Sequence, residues 1–149
     1  MTDVELTRAI ERGELKEFPH ASHLHVALVY LAESPSVQQA ANKMRSTLRR
    51  FATAAGKPEK YHETMTLFWV QVLSDAYAVS RGGRLEDIVR ANPQLLEKNF
   101  ALTYYSPERL FSAEARISWV QPDLKPFSID AIATSSSSPS CDPPNRSLS

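Results

Sequence analysis

The sequence predicts an all-α fold: a single-domain helical bundle with antiparallel neighbouring helices and a disordered C-terminal tail. Three observations carry this. Apolar residues recur at helical spacing through most of residues 4–119. No stretch shows the sustained alternation of a half-buried strand, and no Asn-Gly or Asp-Gly hairpin turn occurs. Ser-Pro or Asn-Pro pairs, which place a capping side chain ahead of proline at the first helical position, recur at the heads of helical stretches. At 149 residues the length fits one domain able to bury a core without staples.

Residues 4–13 read as a short charged helix with Leu6 and Ile10 on its apolar face and Gly13 as its stop. Residues 14–19 connect it to a second helix running to about Glu33. There Leu24, Ala27, Leu28 and Leu31 form a buried stripe that Val26, Val29 and Tyr30 widen, so this helix is central. Ser34-Pro35 opens a third helix reaching Ala55, with Val37, Ala40, Ala41, Met44, Leu48, Phe51, Ala52 and Ala55 in one continuous stripe. Gly56 and Pro58 end it. The fourth helix spans about residues 60–80, its apolar face formed by Met65, Phe68, Trp69, Val72, Leu73 and Ala76. A helix over 85–91 follows, then a short one after Asn92-Pro93. A last one after Ser106-Pro107 carries Leu110, Phe111, Ile117 and Trp119 and stops before Pro122. The domain ends at 126. Residues 127–149, rich in Ser and Pro, cannot bury enough apolar surface to offset ordering entropy.

Composition narrows the function classes. The chain holds 17 basic and 17 acidic residues, so no global field draws it to nucleic acid or an anionic membrane. The basic cluster Lys43, Arg45, Arg49 and Arg50 reads as a solvated helix face. Cys141 is the single cysteine, which excludes an intrachain disulfide and a thiolate metal cluster. No leader-like N-terminus and no membrane-spanning apolar run is visible, so the expected location is the cytoplasm. Glycine-rich phosphate loops and the Gly-x-Ser-x-Gly elbow are missing.

The four histidines fall in two blocks, His20, His23 and His25 in one and His62 in the other, each at the head of a helix. Short connections make helices two, three and four successive antiparallel neighbours. Helices two and four then run parallel, and their histidines share one end of the bundle. At about 100° per residue, His20 lies on the face of Leu24, Ala27 and Leu31, and His23 lies about 60° away. His25 points elsewhere. His62 lines up with Met65, Trp69 and Leu73, with Glu63 beside it at the edge.

Three chemistries fit such a cluster. His20, His23 and His62 suit a zinc or iron site with an open coordination position. Alternatively, His62 or His23 acts as a general base oriented by Glu63. In the third reading the rings only cap helix ends and satisfy backbone groups. The positive end of a helix disfavours imidazolium, so neutral rings are expected in every case. Tyr105, Arg116 and Trp69 are candidate ligand-binding residues, Arg116 for a carboxylate or phosphate. Their bland alternatives are core aromatics and a surface ion pair.

The strings Phe18-Pro19-His20-Ala21-Ser22-His23-Leu24 and Tyr61-His62-Glu63-Thr64-Met65-Thr66 carry a resemblance, together with Tyr105-Ser106, Ala115-Arg116 and Pro122-Asp123. They resemble small uncharacterised bacterial helical proteins, over about residues 14–126. The resemblance implies that the histidine blocks act as one unit and implies no reaction, ligand or cofactor. The expected function is a small soluble enzyme acting on a small molecule through a His-lined pocket, with a divalent metal as candidate cofactor. The competing expectation is a non-catalytic domain that binds a small molecule or a protein partner.

Overall fold

The first and third helices start where a side chain takes up free amide groups, whereas the second starts after Pro19 with no side-chain cap. α1 (Asp3–Glu11) begins in a capping box: the Glu5 N–H donates to Thr2 Oγ1 at 3.1 Å, and the Thr2 N–H donates to Glu5 Oε1 at 2.7 Å. Gly13, at φ +74°, turns the chain away from it. The structure is a computed structural model and describes residues 2–80, 83–97, 99–129 and Ile132. Residues 133–149, with Cys141 and most of the Ser/Pro-rich tail, lie outside the described residues.

α2 (His20–Glu33) buries Leu24, Val26, Ala27, Leu28, Val29 and Tyr30. That is apolar residues on most of its circumference, the signature of a central helix, and it packs against α1, α3, α4 and α5. α3 (Val37–Ala54) starts later than the Ser34-Pro35 pair predicts. Its cap is Ser36, whose Oγ accepts the Gln39 N–H at 3.2 Å, while Ser34 Oγ is buried without a protein partner. A 3-10 turn, Pro58–Lys60, then separates α3 from α4 (Glu63–Ser80), so the fourth helix also begins later than expected. α5 spans Leu85–Ala91, and 3-10 turns follow at Pro93–Leu96 and Phe100–Thr103.

The predicted last helix is two: α6 (Pro107–Leu110) and α7 (Ala113–Ile117). The break is a second cap. Ser112 Oγ accepts the Ala115 N–H at 3.1 Å and donates to the Arg109 carbonyl at 2.8 Å, a local alternative to continuing the helix. Phe111 and Ile117, which the single predicted helix carries, are exposed.

α4 holds the two halves of the core together. Leu67, Val70 and Leu73 pack with Leu24, Tyr30 and Met44, while Phe68 packs with Ala101, Tyr105, Leu110, Ala115 and Val120. The packed region also continues past residue 126, where composition places the boundary. Phe127 lies 4.6 Å from Phe68 and 5.4 Å from Tyr104 between ring centroids, and Ile132 is buried in the first cluster. Polar flanking sequence hides these apolar residues from a compositional reading. Among the described residues there is no strand, and no helix is long and apolar enough to cross a membrane.

Candidate functional site

The start of α2, the end of α3 and the start of α4 meet around a cavity of about 560 Å³, within the usual range for a small-molecule site. His20, His23 and His62 all line it, as does Trp69. This is the end-to-end arrangement that two parallel helices with an antiparallel one between them produce. His25 faces the other way, with Nδ1 2.7 Å from Asp3 Oδ1 on α1.

The walls are largely apolar. Leu24 and Ala27 come from α2, Met65 and Val70 from α4, and Met44, Leu48, Phe51, Ala52 and Ala55 from α3. The α3 stripe is buried at Ala40, Ala41 and Met44, but Phe51 and Ala52 are only half-buried and Ala55 is exposed. Its apolar face thus runs on beyond the packed core and forms one side of the cavity. Phe18 stands edge-on to His23 at 4.3 Å and to Phe51 at 5.4 Å. His20 stands edge-on to Trp69 at 4.6 Å.

The imidazoles are already engaged with backbone. The His62 ring caps α4: its Nδ1 accepts the Met65 N–H at 3.1 Å, and its Nε2–H donates to the Leu110 carbonyl at 2.7 Å. Both partners fix the neutral tautomer, because a proton on Nδ1 would face another donor. Burial pushes the His62 pKa below 6.5, and the Arg116 charge pushes it the same way. The His20 Nε2–H donates to the buried Leu95 carbonyl at 2.9 Å. Burial, and then neighbouring His20, lowers the His23 pKa to about 4, although its ring also bonds the Phe18 backbone. His23 and His62 therefore share the neutrality expected at helix starts, with burial as the leading cause.

These bonds correct the metal expectation. Among the described residues no group of three or more His, Cys, Asp or Glu side chains is placed to hold a metal ion. His62 has no nitrogen left for zinc or iron, and His20 presents only Nδ1. The predicted trio of His20, His23 and His62 shares a cavity but is not a ligand set.

Glu63 is not with the imidazoles. It is buried against α3, with Oε2 2.8 Å from Arg45 Nε, while Tyr61 Oη–H donates to Oε1 at 2.6 Å and Arg49 stands 3.6 Å away. The carboxylate follows the guanidinium groups of Arg45 and Arg49, one helical turn apart on the antiparallel neighbour. The basic cluster of α3 is accordingly only partly a solvated face. Tyr105 is fully buried and donates to the Val120 carbonyl at 2.7 Å, and Arg116 ties the Glu59 carbonyl at 2.8 Å. Neither reaches the cavity, so of the three predicted ligand-binding residues only Trp69 lines it.

Sequence reasoning passes over Phe18, Tyr61, Thr66, Lys57, Lys60 and Asn99, all of which line the cavity. The available signal is the α3 stripe, which reaches the very end of its helix opposite the histidine blocks. Comparison with known proteins finds no matching family model, no similar curated protein and no similar solved structure.

Proposed function

We propose that this chain is a binding domain for an apolar or aromatic small molecule, seated between the starts of α2 and α4 and the end of α3. The observation that carries this reading is the apolar end of α3. Phe51 and Ala52 are only half-buried and Ala55 is exposed, yet they face a concave, largely apolar wall completed by Trp69 and Met65. Apolar surface left open in a concave site is what a ligand's own apolar surface would cover.

His62 and His23, the two imidazoles expected as bases, support binding over turnover. A general base needs a nitrogen free to exchange a proton near the working pH. His62 has both nitrogens bonded to backbone, and His23, with a pKa of about 4, is a weak base at neutral pH. In this reading the rings hold the walls in place and offer polarity at the site's edge. Glu63, committed to Arg45 and Tyr61, takes no part.

Titration with the uncharged fluorophore N-phenyl-1-naphthylamine tests the reading. One saturable site is expected, with enhanced fluorescence on binding. Ala52→Trp fills the cavity from a position outside the packed core, so it should abolish the signal and leave the circular dichroism and unfolding midpoint near wild type. Absence of saturable binding, or equal binding by the filled variant, would overturn the proposal.

A further inference from the structure

The charge around the cavity specifies the ligand further. None of the described residues lining it is acidic, in a chain with as many acidic residues as basic ones, 17 of each. Its full charges are Lys57 and Lys60, both exposed, on the connector between α3 and α4. Glu59 lies between them in sequence but does not line the cavity, and its carbonyl is taken by Arg116. Glu63, the nearest buried carboxylate along the chain, is turned to Arg45 and Arg49. The site is thus an apolar cleft with two ammonium groups and the Asn99 amide at its edge, and among the described residues no carboxylate is ion-paired with either lysine.

We infer that the ligand is a single-headed anionic amphiphile. Its apolar body lies along Phe51, Ala52 and Trp69, and its carboxylate or phosphate monoester head lies at Lys57 and Lys60. The inference rests on the small-molecule reading above. The chemistry divides as the surface does: burial of apolar area supplies most of the affinity, and flexible lysines act as point charges that accept either head. A cationic amphiphile meets two like charges and is disfavoured. Exposed ion pairs contribute modestly, so the lysines set selectivity among amphiphiles more than overall affinity.

Displacement of N-phenyl-1-naphthylamine from the full-length protein by decanoate, decyl phosphate or decanol, each below its micellar concentration, reads this directly. In the Lys57→Gln, Lys60→Gln double variant the anion that fits should lose about fivefold in affinity, about 1 kcal/mol at 25 °C, while decanol is unchanged. Comparing decanoate with decyl phosphate identifies the head. Both lysines are exposed on a connector, so the variant is expected to fold, and retained naphthylamine binding checks that it does. If the anions lose nothing, or decanol loses as much, the inference is overturned while the cavity reading stands. If naphthylamine itself fails to bind the wild type, both fall together.

Discussion

An imidazole that the fold keeps neutral makes stability depend on pH, and His23 is where this is strongest. Its pKa falls from 6.5 to about 4 because the ring is buried beside Phe18 and His20. The folded state therefore holds fewer protons than the unfolded chain between these values, and stability rises with pH across that window. The contribution is fully present above pH 6.5 and is lost as pH falls toward about 4. The gap corresponds to roughly 3 kcal/mol at full effect, and burial of His62 adds a change of the same sign. Urea midpoints at pH 7 and pH 4.5 should separate more in the wild type than in His23→Gln, which has no proton to gain. Parallel losses in the two proteins would assign the acid sensitivity to other groups.

α4 depends on a histidine doing the work usually given to Ser, Thr, Asp or Asn. His62 occupies its N-cap position, and the ring accepts the Met65 N–H while tying the helix to the Leu110 carbonyl at the end of α6. His62→Ala removes a cap, at a typical cost of about 1 kcal/mol, and leaves the buried Leu110 carbonyl unpaired, for roughly 1–3 kcal/mol more. His62→Asn restores an acceptor for the cap but is too short to reach Leu110 as well. Equilibrium urea unfolding should therefore rank wild type above Asn above Ala. If Ala matches the wild type, the ring is not a structural cap. The helices themselves are legible from their periodicity, and α2, α3 and α4 all lie where the apolar stripes put them. Their starts are less so, because a cap depends on which side chain finds the free amide groups. Ser36 displaces Ser34, His62 sets α4 three residues beyond Lys60, and Ser112 cuts one predicted helix into α6 and α7.

At the scale of the molecule, short connections were enough to bring His20, His23 and His62 to one end of the bundle, because they leave few ways to arrange α2, α3 and α4. Where Glu63 turns was not legible, since Arg45 and Arg49 reach it from a neighbouring helix. The placement of Tyr105 and Arg116 likewise depends on the fold of the C-terminal third. That third closes over the second face of α4, and its packed residues continue past 126. Thr64 joins it to the bundle: its fully buried hydroxyl donates to the Ser118 carbonyl at 2.7 Å and accepts the Val120 N–H at 3.2 Å. Beyond that joint, Phe127 adds its ring to Phe68, Tyr104 and Trp119. Aromatic residues bury large areas, and edge-on or tilted pairs add to that burial. Because Phe127 is half-buried, Phe127→Ala should cost about 1–3 kcal/mol, below the loss for a fully buried aromatic. Leu124 is an internal control, being 56% exposed in the same segment, and Leu124→Ala should stay within about 0.5 kcal/mol of wild type. Thermal unfolding of the three proteins separates the cases. A lowered midpoint for Phe127→Ala alone places residue 127 inside the cooperative unit, whereas equal midpoints for both variants would return the boundary to 126.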